Sequence, residues 1–486
     1  MRRAPGLTAL FTAAFAAAGW HAAVSPLGDN SLFWHIRTGR WMLDHGIPRH
    51  DVYSFTAPGV SWVSQSWLAE LAYGVIDSAF GPFGIRVVMA ITGAAIAAVA
   101  FRLALDASGG RAGVERVSAV LLAAVAVSAS LSNWSSRPLL QGALAFLALV
   151  WLVELADSRL GRHVGVGIPV VMWLWANAHG SFALGFAYLG LHLMGRWADG
   201  APPWKGREWV IARAALVAVV ACLVNPYGIG ILTFPIELLG RGEVLRSVIE
   251  WRSPDFRSAQ GVTFGAWLSV FIACTALGRN RLSRRDLVVA VPFLMLALWA
   301  QRNITVAPLV TLPMAVRAVA GGRSEATDNP RLASERLTGS QGLAHWSIAL
   351  LLVLLVGSWT ATARREPDFD SSSYPVKAMR FLETEDLLGQ RMLTEDWSAG
   401  YVILRWWPRQ KVFIDDRYEM YPLGIISDYE ELLRGGKNWR KVLDEHDIGI
   451  VVWRAREILP RLMEGDADWV VLYQDRTTVV YARTAL

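Results

Sequence analysis

The feature that most constrains this chain is a succession of apolar runs, each near the length needed to cross a bilayer. A spanning helix takes about 20 mainly apolar residues. Eleven runs approach that: 7–26, 84–105, 114–131, 138–156, 164–178, 180–195, 209–225, 260–278, 286–301, 303–320 and 343–363. Composition agrees. Of 486 residues, 53% are hydrophobic and 18% charged, against about 45–50% and about 25% in soluble domains. Mean hydropathy is +0.33. A disordered chain is excluded, and an ordinary soluble enzyme is a poor fit. The start, Met1-Arg2-Arg3 before an Ala-rich run, also resembles a signal peptide, and is read as a retained first helix. Cys222 and Cys274 both lie in apolar runs and make neither a disulfide framework nor a zinc cluster.

Charge divides the chain. Residues 364–486 carry 18 Lys+Arg and 22 Asp+Glu, while 1–363 carry 29 and 19. A basic, apolar front thus precedes a mildly acidic, water-soluble tail. Nucleic acid is a poor reading of the basic balance, because the arginines sit in short loops between apolar runs, where they encode topology. If Arg2 and Arg3 are cytoplasmic, alternate loops should be Arg-rich, and they are: Arg111 and Arg116; Arg159 and Arg162; Arg196, Lys205, Arg207 and Arg213; Arg279, Arg281, Arg284 and Arg285; Arg317, Arg323, Arg331 and Arg336. An odd number of spans then puts the tail outside. The expected fold class is a mainly α polytopic membrane protein, residues 1–363, with a large first extracytoplasmic loop at 27–83. A soluble α/β domain follows at 364–486. The stretch 321–342 reads as a cytoplasmic linker. The implied place is the inner or plasma membrane, with a cytoplasmic N-terminus and a periplasmic or extracellular tail.

The tail alternates element types. Helices are expected near 375–388, 398–407, 425–435, 438–446 and 455–463. Strands are expected at 391–396, 411–416, 449–453, 469–474 and 477–482. Such alternation implies a mainly parallel sheet, closed by an antiparallel hairpin at Asp475-Arg476. No GxGxxG or GxxxxGK[ST] string is present, which disfavours a nucleotide site.

Polar groups at membrane depth ask for a reason. On the outward side they cluster. The first loop places Asp29, His35, Arg37, Asp44 and Asp51 beside aromatic residues, then Gln65 and Glu70 around Trp67. Arg137, Asn177, His179, Asn225, Arg302 and Asn303 lie on the same side. If the helices bundle, these groups can meet at one cavity mouth. A charged cluster, Glu250, Arg252 and Asp255, precedes the next span; it is read as a docking surface for the tail or a loop closing on a lipid carrier.

Asp29, then WHIRTGRWMLDHGIP, SFTAPG and WVSQSWL, resembles the first periplasmic loop of GT-C fold glycosyltransferases. Protein O-mannosyltransferases, lipid A aminoarabinose transferases and oligosaccharyltransferase catalytic subunits share that layout. DWSAGYVILRWWPRQKVFIDDR is similar to the stretch opening the soluble domain of oligosaccharyltransferases, with Ser398-Ala399 departing from its Asp-Tyr. The resemblance implies an integral membrane enzyme that moves a sugar from a polyprenyl-phosphate-linked donor to a glycan, lipid or protein acceptor of the cell envelope. An acceptor hydroxyl is a weak nucleophile, so a carboxylate must take its proton or hold a metal. Asp29 is the candidate base or metal anchor, with His35 and Glu70 beside it. Arginine gives a bidentate fork for the leaving phosphate, which points to Arg37, Arg137 and Arg302. Gln65, Trp67, His179, Asp396 and Tyr401 are the substrate-binding candidates. A divalent metal, Mg or Mn, shared by Asp29 and His179 stays open, and the oligomeric state is unread.

Each residue also has a structural reading. Asp29 suits a helix N-cap. His35, Arg37, Arg137 and Arg302 suit headgroup anchors. His179 suits a tight turn, and Asp44 and Asp51 suit surface charges. Two other functions fit the spans: a transporter or flippase of lipid-linked glycans, and a non-catalytic envelope assembly protein.

Overall fold

The structure is a computed structural model that describes residues 4–109, 114–155, 163–242, 248–320, 339–365 and 369–484. The expected linker lies outside them up to residue 338, as do Arg2, Arg3, Arg111, Arg159, Arg162, Arg323, Arg331 and Arg336. The chain divides into two units. One holds Met1–Ser25, Phe83–Pro235 and Arg246–Pro367; the other holds Pro26–Pro82, Ile236–Leu245 and Asp368–Leu486. The first long loop is therefore grouped with the tail.

The first unit is helical. Its elements are α1 (Leu7–Ala23), the later part of α3 (Trp67–Ala107), α4 (Val114–Leu131), α5 (Leu139–Glu154), α6 (Val164–Ala178), α7 (Ala183–Ala198), α8 (Gly206–Cys222), the start of α9 (Gly230–Gly240), α10 (Ala259–Leu277), α11 (Arg284–Trp299), α12 (Ala307–Val319) and α13 (Gly339–Arg365). Every apolar run named above thus coincides with a helix. Among the described residues, Trp67–Ala107, Ala259–Leu277 and Gly339–Arg365 are long and apolar enough to cross a membrane. Helix α3 breaks at Gly81, whose φ of 62° and ψ of −160° suit glycine, just before Pro82.

Helix α6 packs on α5 and α8, α7 on α11, α12 on α4, α10 and α11, and α1 on α13. Phe146 of α5 stacks on Phe293 of α11 at 5.3 Å and meets Tyr188 of α7 edge-on at 5.8 Å. Two arginines from the basic clusters turn inward. Glu154 accepts from Arg285 and Arg317, each at 2.9 Å, and Asp286 accepts from the same pair at 2.6 and 2.8 Å. Ionic groups survive away from water only when paired this way.

The second unit contains α2 (Asn30–His45), the opening of α3, the end of α9, and the tail. The tail runs α14 (Val376–Thr384), β1 (Met392–Thr394), α15 (Asp396–Trp406), α16 (Leu423–Arg434), α17 (Trp439–Glu445), β2 (Ile450–Arg454), α18 (Ile458–Met463), β3 (Trp469–Gln474) and β4 (Thr478–Arg483). The sheet order is β1-β2-β4-β3. Two expectations are corrected. The sheet is not mainly parallel: only β1 and β2 run together, because the closing hairpin lays β4 antiparallel against β2. The 411–416 segment is not a sheet strand. Its Val412 exchanges backbone hydrogen bonds with Tyr53 and Phe55 of the first loop, both at 3.1 Å, which uses the edge a sheet neighbour would need.

Helix α2 packs on α15. A Cβ at Gly400 would fall 2.1 Å from the Asn30 carbonyl oxygen, so the contact requires glycine. Asn30 seals it, accepting from the Gly400 N–H at 2.8 Å and donating to the Asp396 carbonyl at 3.0 Å.

Candidate functional site

In the second unit the site is built around the N-terminus of α2. Asp29 caps that helix, accepting from the Ser31 N–H at 2.9 Å. The chain entering it is anchored by the tail. The Asp370 N–H donates to Leu27, and the Tyr374 hydroxyl donates to the Gly28 carbonyl at 2.6 Å. Burial, then the charges of Asp29, Asp416 and Asp370, pushes the Tyr374 hydroxyl upward, so it stays a protonated donor. Asp416 accepts from Ser31 and, at 2.6 Å, from the Trp34 indole. Three carboxylates therefore surround the start of α2.

The other candidates are placed as follows. His35 and Glu70 are buried and joined at 2.8 Å, with Ser64 donating to the other Glu70 oxygen. The pair ties α2 to the opening of α3, which is a positioning geometry. Gln65 and Trp67 are partly buried at that opening. Arg37 donates to the Trp407 carbonyl at 3.1 Å and lies 4.9 Å over its ring. Its Nε is buried without a hydrogen-bond partner, and burial lowers its basicity. Asp396 accepts from the hydroxyls of Tyr418 at 2.9 Å and Tyr429 at 2.6 Å. Tyr401 is 4% exposed, stacked on Tyr374 at 5.0 Å, so it lines the core of this unit.

Asp51 corrects the sequence reading. It is fully buried at its side chain, not a surface charge, and pairs at 2.7 Å with Arg417. Arg417 also binds Asp415 at 2.6 Å and lies over Trp62, Tyr53 and Trp34 at 4.4, 5.0 and 5.8 Å. Burial opposes its charge, but the two acids hold it firmly protonated.

Arg137, His179 and Arg302 belong to the first unit. Arg137 pairs with Glu250, and Arg302 lies 4.6 Å over Trp251. His179 ends α6, and its Nδ1 accepts from the Ser181 N–H at 3.1 Å. That is the turn-capping geometry. Asn133 joins the 131–138 connection to the next, donating to the Gln301 and Arg302 carbonyls at 3.2 and 3.1 Å. Among the described residues, no three of His, Cys, Asp and Glu gather as a metal-binding group. The described side chains therefore do not supply the three-residue ligand set that would hold such an ion.

No family model and no curated protein matches this sequence. Solved structures do match. The archaeal oligosaccharyltransferase AglB from Archaeoglobus fulgidus, in complex with an inhibitory peptide and a dolichol-phosphate, is similar at a TM-score of 0.53 and 10% identity, over 97% of this chain and 74% of its own. ArnT from Cupriavidus metallidurans in the apo state gives 0.52 and 13%, over 98% and 97%. ArnT bound to undecaprenyl phosphate gives 0.50 and 13% over the same shares. Both are GT-C fold glycosyltransferases. Over nearly its whole length, this chain has the GT-C fold.

Proposed function

We propose that this protein is an integral membrane glycosyltransferase. It moves a sugar from a polyprenyl-phosphate-linked donor to an acceptor of the cell envelope on the outer face. The observation that carries the reading is the likeness along 97–98% of the chain to AglB and ArnT, each with a structure holding a polyprenyl-type phosphate. The local support is a carboxylate at the head of the first long loop, held by the tail.

The acceptor hydroxyl attacks the anomeric carbon. A carbon–oxygen bond forms there, the bond from that carbon to the phosphate oxygen breaks, and the acceptor proton passes to the Asp29 carboxylate. The lipid phosphate leaves with one more negative charge, which suits a guanidinium fork; Arg137 and Arg302, both of the first unit, are the candidates for that role. Ser31, Trp34 and Tyr374 fix the helix start that carries Asp29. His35 and Glu70 position α2 rather than react.

The test is transfer by purified protein from short-chain polyprenyl-phosphate sugars to envelope acceptors. Transfer is expected with at least one donor, and D29N is expected to abolish it. Full activity in D29N would remove the proton-acceptor role. Failure across a broad donor panel would remove the transferase reading.

A further inference from the structure

The residues proposed to receive the phosphate are not idle in this structure, and their partners are consecutive in sequence. Arg137 is ion-paired with Glu250, both side chains partly exposed at 22% and 31%. Arg302 lies over the ring of Trp251. Glu250 and Trp251 sit in one short turn, Ile249–Trp251. That turn is pinned to the connection carrying Arg302: Gln301 donates its side-chain amide to the Ile249 carbonyl at 2.7 Å and its backbone N–H to the Arg252 carbonyl at 2.9 Å. One three-residue turn thus engages both arginines.

The chemistry of the partner is specific. A polyprenyl-phosphate sugar is a phosphodiester, a monoanion with two equivalent non-bridging oxygens. A carboxylate is also a monoanion with two equivalent oxygens, and arginine's fork fits either one. The ring of Trp251 covers the guanidinium face of Arg302, whereas the N–H donors lie along its edge.

We infer that Glu250 is an internal stand-in for the donor phosphate: it occupies Arg137 in the empty protein and must give way when the lipid phosphate binds. This rests on the transferase reading for the identity of the phosphate. Exchange of one monoanion for another leaves the net charge at Arg137 unchanged, so the empty protein never holds an uncompensated cation there. A lipid phosphate must compete with a tethered carboxylate, and its apparent affinity falls by the fraction of molecules in which the pair is closed.

The experiment is equilibrium binding of the methyl ester of undecaprenyl phosphate, a phosphodiester monoanion like the donor, to the full-length protein in detergent, for the wild type, E250Q, E250A, R137Q and E250Q/R137Q. A partly exposed ion pair contributes about 0.2–1 kcal/mol, so removing the competitor should tighten binding by up to about fivefold. That gain should appear in E250Q and E250A and vanish in the R137Q background. Suppose the wild type binds and R137Q weakens binding, but neither Glu250 variant tightens it. The stand-in is then overturned while the donor reading survives. No binding by the wild type overturns both. Failure of both Glu250 variants to fold, read by circular dichroism and melting, would make Glu250 a structural residue and also overturn the inference.

Discussion

Replacing Arg417 with methionine tests whether the first loop and the tail are one physical unit. The side chain is fully buried. It makes three charge-assisted hydrogen bonds, from Nη2 to Asp51 at 2.7 Å, from Nη2 to Asp415 at 2.6 Å and from Nε to Asp415 at 2.8 Å. Methionine fits the space beside Trp62 and Tyr53 but leaves two buried carboxylates without their cation. Breaking a buried pair from one side costs about 3–5 kcal/mol. Asp51 retains donors at Ser54, and Asp415 retains the Tyr421 hydroxyl at 3.0 Å and the Arg417 N–H. These bonds argue for the lower half of that range. At about 2–4 °C per kcal/mol for a body of this size, the melting transition of the second unit should fall by about 6–16 °C. Scanning calorimetry of the full-length protein in detergent reads it, and limited proteolysis maps the opened region to 26–82 and the tail. Adding D51N and D415N to R417M removes the stranded charges and should recover part of the loss. A drop below about 2 °C, or no recovery in the triple variant, would refute the clamp.

Other outcomes follow from the same geometry. D29N should fold with wild-type stability, since Asn caps a helix as well as Asp, whereas D29A should cost about 0.5–2 kcal/mol; calorimetry separates the cap from the loss of transfer common to both. G400A should destabilise the α2–α15 contact by about 1–3 kcal/mol, because its Cβ meets the Asn30 carbonyl at 2.1 Å; urea midpoints check this. Burial pushes the Glu419 carboxyl up to about 7. Between the ordinary carboxyl value near 4.5 and about 7, the folded state holds a proton the unfolded state has released, so stability should fall as pH rises through this window. E419Q should flatten that slope in melts taken from pH 5 to 8, and an unchanged slope would reject the assignment.

The helices were legible because a long run of apolar residues needs no partner to be recognised, and the tail's strands β1 to β4 were legible from their short apolar runs and turn residues. Asp29 could be read as a cap because capping is local, set by Ser31 two residues on. What escaped was pairing over distance. Asp51 and Arg417 are 366 residues apart, and no periodicity links them. KVFIDD has the apolar pattern of a strand, yet its backbone partner is a first-loop segment and not the sheet. Arg137 and Glu250 were each singled out, but their union was invisible.

One signal for the clamp was present all the same. In VFIDDRYEMY, three acids and an arginine stand inside a run whose ends, Val412, Phe413 and Ile414 on one side and Met420 and Tyr421 on the other, are buried. A charge flanked on both sides by core residues cannot reach water without breaking the core, so it must be paired within the fold. Asp415 takes Arg417 from within the string, leaving the guanidinium with donors for one acid more and Asp416 with an oxygen pair to fill. The remaining partners had to come from elsewhere, and the first loop supplies them: Asp51 for Arg417, and Ser31 with Trp34 for Asp416. The same string that locks the loop to the tail therefore also fixes the start of α2, one turn from the carboxylate on which the proposed chemistry depends. On that account R417M should lower transfer as well as stability, and R417K, which keeps the charge but loses the fork, should fall between R417M and the wild type in both.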